Sequence, residues 1–89
     1  KSIAHTKSDE KFLTQLNNAI QEHMEDLDLD VEKLAKIMNM SRITLYRKIK
    51  AVSNLTPLEL INITRLKKAA ELLAIAEYKI YEVADMVGY

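Results

Sequence analysis

The residues best suited to chemistry lie in a basic run near the middle of the chain, RITLYRKIK at positions 42–50. Its basic residues are Arg42, Arg47, Lys48 and Lys50, and no acid lies among them. Arginine can donate two hydrogen bonds to guanine, a threonine hydroxyl can donate or accept, and apolar groups can contact the methyl group of thymine. Lysine and arginine also pair with backbone phosphates. This combination indicates a surface that contacts the major groove of DNA.

The charge of the chain is unevenly distributed, although the formal net charge is zero. Residues 1–32 contain three basic and eight acidic residues, a net charge of −5. Residues 33–70 contain nine basic residues and only one acid, Glu59, a net charge of +8, and residues 71–89 carry −3. The middle of the chain is therefore an electropositive block, as a polyanionic partner would require.

Composition predicts an all-α protein with a single compact core. The chain has 89 residues, which can bury one modest core. One Gly and one Pro against 48% hydrophobic residues leave little material for hairpins or long loops. The chain has no Cys, which fits a reducing compartment.

Apolar spacing and capping residues predict the first two helices. Ser8 precedes the first, and Asp30 can cap a second that ends at Asn39. The acidic segment EDLDLD separates them. The inward positions are Phe12, Leu13, Leu16, Ile20 and Met24 in the first helix, and Val31, Leu34, Ile37 and Met38 in the second.

A third helix is predicted over residues 42–52, with Ser41 as its N-terminal cap. Its inward stripe consists of Leu45, Ile49 and Val52. Two helices joined by a tight turn, the second of them basic, have the geometry of a helix-turn-helix. The third helix is therefore the predicted recognition helix.

A fourth, longer helix is predicted to open at TPLE and run to about Ala76. Thr56 can cap this helix, Pro57 suits its first position, and Glu59 can close a capping box. At about 1.5 Å per residue, twenty residues span roughly 30 Å, close to the roughly 34 Å between successive major grooves. This helix is predicted to set the distance between two DNA-contacting units.

The end of the chain repeats its middle at an offset of 49 residues. VEKLAKIMNM at 31–40 aligns with IYEVADMVGY at 80–89, so that Ala35 falls on Ala84 and Asn39 on Gly88. Asparagine and glycine both tolerate the left-handed backbone conformation of a sharp helix exit. Residues 80–89 are therefore predicted to be the first helix and turn of a second helix-turn-helix.

These segments resemble the DNA-binding domain of AraC/XylS-type transcription regulators. The resemblance rests on MSRITLYRKIKAVSNLTPLELI, RLKKAAELL and YEVADMVGY, and covers residues 9–89. The pattern MSRxxLYRKxKAxxxxxP is similar to the form found at the C-terminus of bacterial hybrid two-component regulators. The resemblance implies two helix-turn-helix units bridged by a long helix, both reading the major groove on one side of the DNA.

The resemblance also implies roles for individual residues. It places Ser41 at the start of the recognition helix, Ile43, Tyr46 and Arg47 at positions that face bases, and Arg42 and Lys50 near phosphates. From their residue types and places on this helix, Thr44 is also expected to face bases, and Ser41 and Lys48 to lie near phosphates. Arg65 corresponds to an arginine of the bridging helix that serves structure more than readout. The chain departs from the common pattern at Asn39 and Asn54, where glycine is usual, and at Leu60, where an aromatic residue is frequent.

The predicted fold is all-α: a homeodomain-like three-helix unit, a long bridging helix and the start of a truncated second helix-turn-helix. The predicted divisions are a tail or linker at 1–8, the first helix-turn-helix subdomain at 9–55, the bridging helix at 56–77 and the second unit at 78–89. The predicted function is sequence-specific DNA binding as the output domain of a bacterial transcription regulator controlled by an upstream signalling module.

Other readings of the chain have less support. His5 and His23 lie far apart without Cys or carboxylate partners, so no metal site is predicted. No nucleophile with a base, metal cluster or phosphate-binding Gly loop is present, so neither catalysis nor a cofactor is predicted, and no small-molecule substrate. A helical protein-interaction module remains the alternative, and would explain the apolar helix faces but not the acid-free third helix.

The expected partner is double-stranded DNA, and the expected location is the cytoplasm, with a parent protein that is either soluble or membrane-anchored. The parent chain is a candidate dimer. An apolar surface is also expected near the C-terminus, left bare for self-association by the absence of a second recognition helix. Its members are Leu72, Leu73, Ile75, Ile80, Val83 and Val87.

Overall fold

The computed structural model describes residues 7–75 and 77–89, and within them the chain is all-helical. The five helices are α1 Lys7–Glu22, α2 Val31–Ile37, α3 Arg42–Ser53, α4 Pro57–Ala74 and α5 Ile80–Val87. The helices α1 to α3 pack with the first part of α4 around one core, and α5 packs against α4. The all-α prediction, with a short-turn helix pair followed by a long helix, is confirmed.

The helix ends differ from the prediction by one to two residues. α1 begins at Lys7, so Ser8 lies inside the helix and does not cap it. α2 ends at Ile37, two residues before Asn39, where the Asn39 amide donates to the carbonyl of Lys36 in a tighter turn. α4 ends at Ala74, where the Ile75 amide donates to the carbonyl of Leu72 in a tighter turn. Residues 1–6 of the predicted tail and Ala76 lie outside the described residues.

The predicted caps of the next three helices are confirmed. The Asp30 carboxylate accepts a hydrogen bond from the Lys33 amide at 2.9 Å, which caps α2. The Ser41 hydroxyl accepts one from the Thr44 amide at 3.1 Å, which caps α3. In α4 the capping box is complete, because Thr56 and Glu59 each accept a hydrogen bond from the amide of the other.

Two turns of the chain have the same backbone geometry, as the repeat predicts. Asn39 has φ 57° and Gly88 has φ 89°, both in the left-handed region. The amide of Met40 donates to the Ala35 carbonyl at 2.9 Å, and the amide of Tyr89, 49 positions later, donates to the Ala84 carbonyl at 2.8 Å. These bonds close both helices in the same way. The α5 turn therefore has the form of the turn between α2 and α3.

The core is made by one face of each helix. α1 buries Phe12, Leu16, Ala19 and Ile20, and α3 buries Leu45, Ile49 and Val52. The fully buried large side chains are Leu16, Ile20, Leu34, Leu45, Ile49, Ile61 and Val87. Because α3 contributes its whole inward stripe to this core, its opposite face is held outward.

A buried arginine joins three parts of the chain. Arg65 on α4 is 7% exposed, and its Nη2 donates to the carbonyl of Asp26 at 2.7 Å and to that of Met24 at 3.3 Å. Its guanidinium also lies 6.0 Å from the centre of the Tyr89 ring. Gly88 lies against the Met24 carbonyl so closely that an added Cβ would overlap it. Arg65 therefore has the structural role that the resemblance implies.

The predicted bare surface near the C-terminus is only partly exposed. Leu72, Val83 and Val87 are buried, because α5 packs on α4 and its turn docks against Met24 and Arg65. The residues that remain exposed are Leu73, Ile75 and Ile80. Ile37, expected to be covered by α3, is also exposed, because the short α2 turns only Leu34 and Ala35 fully inward.

Among the described residues, no helix is long and apolar enough to cross a membrane.

The caps predict the effect of removing a serine hydroxyl. Replacing Ser41 with alanine should lower the free energy of unfolding by about 1 kcal/mol, because the Thr44 amide loses its partner. Ser8→Ala is the matched control and should cost nothing, since Ser8 lies within α1, where alanine is a better helix former. Denaturant titration followed by circular dichroism measures both. A loss at Ser8 equal to that at Ser41 would contradict the cap assignment.

The turn of α5 predicts a larger effect. Gly88→Ala should lower the free energy of unfolding by about 2–5 kcal/mol, because the new Cβ adds a steric overlap to an unfavourable backbone conformation. Asn39→Ala meets the same left-handed requirement at an exposed turn and should cost only about 1 kcal/mol. The same denaturation assay compares the two variants. Equal losses in the free energy of unfolding would show that the close approach of Gly88 to Met24 does not add to the cost of the substitution.

Candidate nucleic-acid interface

The outer face of α3 forms one side of a shallow groove. Its lining residues are Val31, Arg42, Ile43, Tyr46, Arg47, Lys50 and Ala51. Six of these seven belong to α3 and recur every three or four residues, which places them on one side of the helix. Val31, at the start of α2, supplies the seventh. The groove thus brings together five of the eight residues that the sequence singled out.

The groove combines apolar side chains with positive charge. Ile43 is 69% exposed and Tyr46 is 46% exposed, which is unusual for large apolar side chains that lie next to each other on a helix. Arg42, Arg47 and Lys50 lie beside them. An apolar surface surrounded by guanidinium and ammonium groups matches the edges of bases flanked by phosphates.

Ser41 and Thr44 lie outside the groove lining. The Ser41 hydroxyl accepts from the Thr44 amide and donates to Thr44 Oγ1 at 2.8 Å. Both hydroxyls therefore take part in capping α3, and Thr44 is half-buried. The phosphate contact expected of Ser41 and the base contact expected of Thr44 stay predictions. In either contact the hydroxyl would have to bind DNA while it keeps its hydrogen bond at the start of α3.

Lys48 also lies outside the groove lining. Its Nζ lies 5.5 Å from the centre of the Phe12 ring, on the side of α3 that faces α1. Such a cation–π contact is a packing interaction between the two helices. The phosphate contact predicted for Lys48 stays a prediction, and this geometry directs its charge to α1 instead.

The other two predicted phosphate ligands have partners of their own. Arg42 Nη1 lies 3.4 Å from Glu32 Oε1, in an ion pair between the start of α3 and the start of α2. Lys50 Nζ donates to the Asn54 carbonyl at 3.4 Å, near the end of α3. Both contacts are exposed and long, so a phosphate could replace either partner.

Three charged groups at turns and helix ends, those of Asp26, Lys33 and Glu59, have shifted pKa values. The pKa of the Glu59 carboxyl lies below its usual value, chiefly because the Thr56 amide donates to it. The pKa of Asp26 is also lowered, first by the Asp28 amide and then by Lys33, whose Nζ lies 3.0 Å away. Lys33 correspondingly has a raised pKa because it donates to Asp26. These carboxylates hold turns and helix ends in place.

Histidine and carboxylate groups do not form a metal centre in the part of the chain that the structure describes. His23 Nδ1 lies 3.0 Å from the Ala19 carbonyl oxygen within its own turn of helix. His5 lies outside the described residues.

Two residues of this surface escaped the sequence analysis. Val31 was assigned to the core, but it is only half-buried and lines the groove. Glu32 was not singled out, although it pairs with Arg42 across ten residues and a turn. No local spacing marks such a pair. The only available signal was the short gap between α2 and α3, which restricts how far apart their first turns can lie.

Comparison with known proteins identifies the same type of domain. A family model described as a helix-turn-helix domain matches residues 34–89. Histidine kinase P4 from Formosa agariphila is 36% identical over 87 residues, which is 98% of this chain and 6% of the kinase. The chain therefore spans a small fraction of that relative.

A solved structure is similar in both fold and sequence. It is the C-terminal domain of AraT, a response regulator from Geobacillus stearothermophilus, with a TM-score of 0.75 and 36% identity. The match covers 86% of this chain and 64% of that one. Domains of the helix-turn-helix family bind DNA and are generally not enzymes. The family model matches more than half of the residues of this chain, which therefore belongs to the AraC/XylS-type helix-turn-helix family of DNA-binding domains.

Proposed function

We propose that the chain is the sequence-specific output domain of a bacterial two-component transcription regulator, with α3 as the recognition helix in the major groove. The observation that carries this proposal is the outer face of α3, where apolar and basic residues line one groove. The major groove is about 12 Å wide and admits an α-helix. The buried stripe of α3 holds the helix in one orientation, so this face is presented as a rigid surface.

The proposed base contacts come from the centre of the groove. Arg47 suits the two acceptors of guanine, and the exposed methyl groups of Ile43 suit a thymine methyl. Tyr46 offers an aromatic face and a hydroxyl between them. Arg42 and Lys50, at the two ends of the face, are proposed to bind phosphates and so fix the register of the helix on the duplex.

The remaining predicted contacts are proposed as secondary. Thr44 and Ser41 could reach DNA only while sharing their hydroxyls with the α3 cap. Lys48 has a flexible stem and could leave Phe12 for a phosphate. We assign these three residues a smaller part of the affinity than Arg42, Arg47 and Lys50.

The proposed role in the parent protein follows from the relatives. One is a histidine kinase and the other is the C-terminal domain of a response regulator. A DNA-binding module joined to a phosphorelay would convert an upstream signal into a change in transcription. Its target DNA places the domain in the cytoplasm, and we propose that it acts by binding alone, without catalysis or a cofactor.

The proposed organisation has a first helix-turn-helix that ends at 55, a bridge at 56–77 and the first helix and turn of a second unit at 78–89; Lys7 and Ser8, predicted as part of a tail at 1–8, belong to α1. The repeated left-handed turn at Asn39 and Gly88 supports it. α4 has 18 residues and so spans about 27 Å. This length is shorter than the predicted 30 Å but still comparable with one turn of DNA, about 34 Å.

Self-association is proposed only as a secondary property. Three exposed apolar residues support it, Leu73 on α4, Ile75 just after α4 and Ile80 on α5, since bare side chains of this size favour contact with another surface. Sedimentation at increasing protein concentration tests it independently of DNA binding. Dimerisation of the parent chain is a separate proposal, because it depends on segments outside residues 1–89.

The central prediction separates base contacts from phosphate contacts. Arg47→Ala should weaken binding to the preferred duplex by about 1–3 kcal/mol and relax the preference at one base pair. Lys50→Ala should weaken binding to all sequences similarly and lower the salt slope by about 1. Lys48→Ala is the control on the same helix and should change affinity less than Lys50→Ala, because its charge lies over Phe12.

The measurement is selection of bound sequences from a random duplex pool, followed by titration at several salt concentrations. If Arg47→Ala and Lys50→Ala had the same effect on sequence preference, the assignment of base and phosphate contacts would be wrong. Binding that did not depend on salt would favour a protein-interaction module over a DNA-binding domain.

A further inference from the structure

Glu32 places a negative charge at the edge of the basic groove. It lies in the first turn of α2, next to the groove residue Val31, and its Oε1 lies 3.4 Å from Arg42 Nη1. The side chains of Glu32 and Arg42 are 65% and 61% exposed. An exposed ion pair contributes little to folding stability. The main effect of the pair is therefore expected on the binding of charged ligands to this face.

Glu32 has no capping role that would explain its position. The cap of α2 is Asp30, whose carboxylate accepts from the Lys33 amide. Residues 33–70 hold a single acid, Glu59, and its carboxylate accepts from the Thr56 amide at 2.8 Å in a capping box. Glu32 instead directs its carboxylate to a residue of the groove. Its position in the first turn also gives a weak favourable interaction with the α2 dipole.

A carboxylate at this place opposes DNA binding in two ways. It repels the phosphates that approach the groove, and it occupies the guanidinium of Arg42, which would otherwise pair with one of them. Binding must then exchange the carboxylate partner of Arg42 for a phosphate. Such a penalty applies to every duplex, because phosphates carry no sequence information.

We propose that Glu32 limits the sequence-independent part of DNA affinity by competing with phosphate for Arg42. This inference rests on the proposed DNA-binding function and assigns a regulating residue to the same surface. Glu32 is a positioning residue: it acts through Arg42 and contacts no base. Its neutralisation should strengthen binding to matched and scrambled duplexes by the same factor, leaving sequence preference unchanged.

The test compares Glu32→Gln with the wild-type chain on two probes, a duplex selected by the wild-type chain and a duplex of scrambled sequence. Glu32→Gln should bind both about threefold to tenfold more tightly at low salt, a gain that shrinks as salt is added. In the wild-type complex Glu32 still competes with the phosphate for Arg42, whereas in Glu32→Gln the phosphate is the sole anionic partner of Arg42, so the salt slope should steepen by up to about 0.9. Circular dichroism checks that folding is unchanged.

The matched control is Glu71→Gln. Glu71 is also 65% exposed and pairs with Lys68 at 3.8 Å, but it lies on α4 and does not line the groove. Glu71→Gln should change affinity by less than about twofold, because its partner Lys68 does not line the groove and exposed charges away from the groove are screened by salt. In an Arg42→Gln background, Glu32→Gln should no longer steepen the salt slope.

Three results would overturn the proposal: unchanged or weaker binding by Glu32→Gln, an equal gain from Glu71→Gln, or a steepened slope that persists without Arg42. Weaker binding would mean that Glu32 orients Arg42 towards its target. If the wild-type chain itself showed no salt-dependent binding to either duplex, the proposed function would fail as well. Failure of the variant alone would leave that function intact.

Discussion

The buried guanidinium of Arg65 is the interaction on which the arrangement of the helices depends. Arg65 is only 7% exposed, and a buried charge needs hydrogen-bond acceptors. Its Nη2 donates to the Met24 and Asp26 carbonyls, whereas its buried Nε has no partner among the described residues. The same group lies beneath Gly88 and beside the Tyr89 ring. One side chain therefore ties the loop before α2, the middle of α4 and the turn after α5 to a single position.

This contact also determines how α3 is presented. α3 packs on α2 and α4, the two helices whose mutual position Arg65 restrains. Most of the stability of a helix in a folded protein comes from the packing of its apolar face and little from its own sequence. The orientation of α3 is therefore set by its core stripe at Leu45 and Ile49. The inward stripe thus holds the helix in place, and the outward face is the one proposed to contact DNA.

Local patterns predicted most of the fold because they involve near neighbours. The caps at Asp30, Ser41 and Thr56 and the left-handed turns at Asn39 and Gly88 depend on residues within one helical turn. Long-range docking was not predictable in the same way. The burial of Val83 and Val87 depends on how α5 meets Met24 and Arg65, which no spacing along α5 encodes.

In the candidate site too, contacts within one helix were predictable from the sequence, and contacts between helices were not. The resemblance grouped Ile43, Tyr46 and Arg47, and their spacing along α3 places all three on the face that lines the groove. Helical periodicity predicts such a grouping because it involves one helix only. It could not show that Lys48 meets Phe12 or that Glu32 meets Arg42, because both partners belong to other helices. Ser41 and Thr44 were expected to contact DNA. The Ser41 hydroxyl also accepts a hydrogen bond from the Thr44 amide, which would otherwise be unpaired at the start of α3.

The most direct test of the central claim is a map of amide chemical shifts in the isotope-labelled chain, recorded by NMR as duplex DNA is added. The largest changes should fall on the outer face of α3, at Ile43, Tyr46 and Arg47, and extend to Val31 on α2. Signals from the acidic stretch between α1 and α2 should move least. Changes concentrated on Ile80 and Tyr81 of α5, with α3 unaffected, would contradict the assignment of α3 as the recognition helix.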